Sequence, residues 1–74
     1  MNAYNFSVSK IKGKMAENDI RQSDLAVVLG LSRRSIAKKL SGEVEWNASE
    51  ICKFSERVNT EPGYFFIENK VPNA

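Results

Sequence analysis

A chain of seventy-four residues, 42% apolar and 27% charged, supports one small hydrophobic core and is too hydrophobic for a disordered segment. No apolar run approaches the roughly 20 residues of a membrane span, and with one cysteine and no histidine the chain offers neither an internal disulfide nor a zinc set. The net charge of +2 hides an asymmetry: residues 1–42 hold eight Lys/Arg against three Asp/Glu, whereas residues 43–74 hold three against six.

The basic first half is the half suited to a polyanion. The opening MNAYNFSVSK has no basic segment followed by an apolar one and a small-residue cleavage site, so no secretion signal is expected. With its lone Cys52, the chain is expected to be a soluble single domain, 1–74, in a reducing cytoplasm.

Val8, Ile11 and Met15 recur at spacings of three and four among Lys10, Lys12, Lys14 and Glu17, which predicts an amphipathic helix from about Ser7 to Asn18. A second helix is predicted from Gln22 to Leu29, with Leu25, Ala26 and Leu29 inward and Gly30 ending it in a left-handed conformation. Ser32 is a suitable N-cap for a third helix, Arg33 to Leu40, with Ile36 and Leu40 inward, stopped by Ser41-Gly42. After the acidic Glu43-Val44-Glu45, WNASEI carries a helix start: Asn47 as cap, Glu50 bonding back, and Trp46 stapled to Ile51. Ile51, Phe54 and Val58 continue that stripe to Asn59, and Cys52 beside it reads as a semi-buried hydrophobe. Glu61 to Phe66 reads as a last short helical turn, with Pro62 near its start and Tyr64, Phe65 and Phe66 as core, dimer contact or both. The predicted fold is all-α: a compact bundle of about five short helices.

At 100° per residue, Arg34 and Lys38 project away from Ile36 and Leu40, while Ser35 and the small Ala37 take the flanks. A short helix with a cationic outer face has the properties needed to enter a DNA major groove. Gln22, Leu25-Ala26, Leu29-Gly30-Leu31-Ser32, Ile36 and Gly42 together resemble the helix-turn-helix of the lambda/Cro-type phage repressor family, and the similarity extends from about Val8 to Phe66. The resemblance implies that Arg33, Arg34 and Lys38 reach base edges, that Gln22 bonds a phosphate, and that Ser35 or Lys39 assists at the backbone. Three features depart from the family pattern. Arg21 replaces the usual Ser or Thr cap and adds a phosphate-seeking cation, Glu43 and Glu45 occupy a loop that is usually basic, and Val27 and Val28 replace polar residues.

Two functions are therefore expected. The first is a sequence-specific transcription regulator of phage or prophage type that binds an operator in double-stranded DNA, with or without dimerisation. The second is a small antirepressor-like module that uses Val27 and Val28 to bind a repressor-type protein or a second copy of itself. No enzyme is expected, since no nucleophile is paired with a base, and no phosphate loop, metal set, cofactor site or small-molecule ligand site is evident.

Overall fold

Four α-helices and one 3-10 turn succeed one another in the computed structural model, which describes residues 6–66; residues 1–5, part of the segment read above for a leader, and 67–74 lie outside the described residues. The helices are α1 (Val8–Glu17), α2 (Gln22–Leu29), α3 (Arg33–Ser41) and α4 (Ala48–Arg57), and the turn is Pro62–Phe65.

Each boundary has a local cause. The Ser7 hydroxyl accepts from the Lys10 N–H at 3.2 Å to start α1. At the far end Asp19 takes φ 59°, and the Ile20 N–H reaches back to the Met15 carbonyl at 2.8 Å, which swings Ile20 into the core. Arg21 offers the first turn of α2 no side-chain acceptor; instead Asp24 Oδ2 accepts from the Arg21 N–H at 2.9 Å. Gly30 closes α2 at φ 69°, where a Cβ would be strained, and the Leu31 N–H then bonds the Ala26 carbonyl at 3.0 Å. Ser32 restarts the chain as α3 by accepting from the Ser35 N–H at 3.1 Å. Asn47 and Glu50 form the reciprocal cap of α4 at 2.8 and 3.0 Å, and Asn59 follows that helix at φ 55°.

The count of about five helices is corrected to four α-helices. The segment after Glu61 makes only a 3-10 turn because Phe66 is already extended, at φ −70° and ψ 144°, where it pairs with Phe6 in an isolated antiparallel bridge. Cys52 is exposed and not semi-buried: it lies a quarter-turn past Ile51, off the stripe of Ile51, Phe54 and Val58.

The core is one cluster fed by every element. α2 packs on α3 and α4, α1 packs on α3, and the 3-10 turn closes the bundle against α1 and α4. Phe54 lies at its centre, tilted against Trp46 at 6.0 Å and Phe65 at 5.3 Å, in the non-parallel arrangement that aromatic quadrupoles favour. No helix among the described residues is long and apolar enough to cross a membrane.

Candidate nucleic-acid interface

The outer face of α3 follows from its inner one. Ile36 and Leu40 are buried on the side of α3 that packs against α1 and α2, so Arg34 emerges on the opposite side and Ala37 on the flank, with Arg33 exposed at the start of the helix. Lys38, which helical periodicity places on that outer side as well, is half-buried. Arg33 and Arg34 occupy the first helical turn, which contains no acidic residue, and neither has an ion-pair partner among the described residues. Cations at the positive end of a helix dipole cost roughly 0.3–1 kcal/mol each instead of stabilising it. Helix stability therefore gives no reason for these two arginines.

Lys39, placed by sequence at a DNA backbone or in solvent, is corrected: it is 6% exposed. Its Nζ is 2.9 Å from Glu50 Oε1 and donates to the Glu45 carbonyl at 2.9 Å, while its own carbonyl accepts from the Trp46 indole N–H at 3.2 Å. One residue thus ties α3 to the acidic loop and to the cap of α4. Buried cations are held when paired and hydrogen-bonded in this way. Ser35 is half-buried beside the cap, its hydroxyl accepting from Ser32 Oγ at 3.1 Å.

Beside α3 runs a groove of about 550 Å³, floored by Met15, Ile20 and Leu40 and open along the flank of Ala37 and Ser41. Arg21 and Gln22, both exposed at the start of α2, stand on its rim. Lys12 shares that rim and was not singled out by sequence. A signal for it exists only in hindsight: it lies 200° around α1 from Lys10 and from Lys14, and both of those sit over the Tyr64 ring, at 5.1 and 5.2 Å from its centroid.

The acidic loop sits at the other end of α3 from its arginines. The N–H groups of Glu43 and Val44 both bond the Lys38 carbonyl, at 3.0 and 3.2 Å, so Glu43 is separated from Arg33 by more than about 10 Å along the helix axis. Val27 is 81% exposed on α2, whereas its neighbour Val28 packs partly against the core, so the pair does not form one continuous apolar face. Among the described residues no group of three or more His, Cys, Asp or Glu side chains could hold a metal ion.

A family model described as "Protein of unknown function (DUF739)" matches residues 2–68. No curated protein and no solved structure matches the chain.

Proposed function

The chain belongs to the DUF739 family, whose description assigns no function, and we propose that it is a sequence-specific regulator that binds duplex DNA by laying α3 in the major groove. The observation that carries this reading is the pair Arg33 and Arg34, exposed at the positive end of a helix and without an ion-pair partner among the described residues, where an external anion such as a phosphate would be favoured. In this reading α2, the turn at Gly30 and α3 act as a helix-turn-helix of the lambda/Cro repressor type. Arg33, Arg34 and Lys38 meet base edges; Arg21, Gln22 and the Ser35 hydroxyl hold phosphates. Lys39 has no part at the interface, because its ammonium is committed to Glu50 and the Glu45 carbonyl.

The test is a titration of two duplexes at two salt concentrations, one duplex selected by the protein from a randomised pool and one unrelated. Arg34→Ala or Lys38→Ala should weaken binding to the selected duplex by roughly 1–3 kcal/mol and leave the unrelated one nearly unchanged. Equal losses on both would reduce these residues to phosphate contacts, and wild-type protein that binds neither duplex would end the reading.

The exposure of Val27 favours a second reading, docking of α2 onto a repressor-type protein or a second copy of this chain. Val27→Lys should leave the melting temperature unchanged and abolish that association in sedimentation equilibrium. If wild type and variant both sediment as monomers and neither is retained by an immobilised repressor, the second reading is dropped.

A further inference from the structure

We infer that Lys12 contacts a DNA phosphate, and that with Arg21 it forms a cationic bank across the groove from α3, so that α1 is part of the interface. The inference rests on the DNA reading of α3 and extends it to a helix that neither the motif nor the charge of α3 implicates.

Three lysines project from α1, and the structure separates their roles. Lys10 and Lys14 are half-buried over the Tyr64 ring, and Lys14 also pairs with Glu17 at 3.1 Å. Lys12 is exposed, has no ion-pair partner among the described residues, and lines the groove together with Arg21, Gln22, Ala37 and Ser41. Ala37 and Ser41 are the exposed flank of α3, one turn apart, so the groove separates the face offered to bases from the bank bearing Lys12.

That spacing matches a duplex. α1 packs directly on α3, and packed helices lie about 8–10 Å apart axis to axis. A helix centred in a major groove about 12 Å wide has a phosphate ridge on each side at comparable lateral distance. The small Ala37 on the near flank lets that ridge approach, and the bank beyond it presents Lys12 and Arg21. Neither cation has an ion-pair partner among the described residues to give up on contact.

The experiment measures binding of the selected and unrelated duplexes between 50 and 200 mM salt for wild type, Lys12→Ala, Lys10→Ala and Arg34→Ala. Each phosphate contact contributes about 0.9 to the slope of log affinity against log salt. Lys12→Ala should therefore lower the slope by about one, which makes the loss over this fourfold range about 3.5-fold smaller, on both duplexes and with their affinity ratio unchanged. Lys10→Ala removes the same charge and should leave the slope as in wild type. Equal slope changes for the two lysine variants mean that only net charge is sensed, which overturns the inference. A wild-type slope in Lys12→Ala, beside lost discrimination in Arg34→Ala, overturns the inference and leaves the DNA reading standing. Absence of any salt-dependent binding by the wild type overturns both.

Discussion

Glu50→Ala should destabilise the protein by about 3–5 kcal/mol, the range found when one partner of a buried ion pair is removed and the other is left uncompensated. The side chains of Lys39 and Glu50 are only 8% and 13% exposed, so water does little to replace the lost carboxylate. The ammonium would retain the Glu45 carbonyl at 2.9 Å but no counter-charge. The same substitution removes the acceptor of the Asn47 N–H, part of a cap worth about 1 kcal/mol. Two further variants separate these contributions. Glu50→Gln keeps an oxygen for Asn47 and isolates the cost of the unpaired ammonium, whereas Lys39→Met with Glu50→Gln removes both charges and should recover most of the stability. Chemical denaturation of the three proteins decides the matter, and a loss below 1 kcal/mol in Glu50→Ala would mean that the pair does not hold α3 against α4.

Phe54→Ala should cost about 3–5 kcal/mol as well, through a different mechanism. Phe54 is fully buried between Trp46 and Phe65, two rings that come from opposite ends of α4 and lock the loop before it and the 3-10 turn after it. Removing the ring leaves a cavity with aromatic walls that cannot collapse without moving both. At about 4–8 °C per kcal/mol for a domain of this size, the melting temperature should drop by at least about 12 °C. Phe54→Leu, which fills most of the volume, should lose far less. A Phe54→Ala protein that melts within a few degrees of wild type would show that this side chain is not the centre of the core.

The parts of the fold that were legible in the sequence are those whose causes lie within four residues. Ser32 caps α3, Asn47 and Glu50 cap α4, and Gly30 and Gly42 end α2 and α3 at positive φ, all where the sequence puts them. The reason is that a cap or a left-handed stop is a contact between near neighbours, so its residues carry the signal by themselves. The outward pointing of Arg34 was legible for a related reason: helical periodicity converts the positions of Ile36 and Leu40 into a direction.

Other features depended on neighbours that periodicity does not identify. Lys39 is on the margin of the inward face of α3, and whether a lysine there reaches solvent depends on what packs beside it; its acid partner is eleven positions later, on another helix. Ile20 enters the core because the chain doubles back onto Met15 after Asp19, and the final helical turn stops early because Phe66 pairs with Phe6, sixty positions away. Lys12 is one of three similar lysines until Tyr64 takes up the other two. The amino-acid sequence by itself determined where the helices start and stop and which stripe of each is apolar, because hydrogen-bond caps and 3.6-residue periodicity are local. Only the tertiary structure decided which cations are neutralised inside the protein and which stay exposed, because ion pairing depends on distances between helices that the chain brings together by packing.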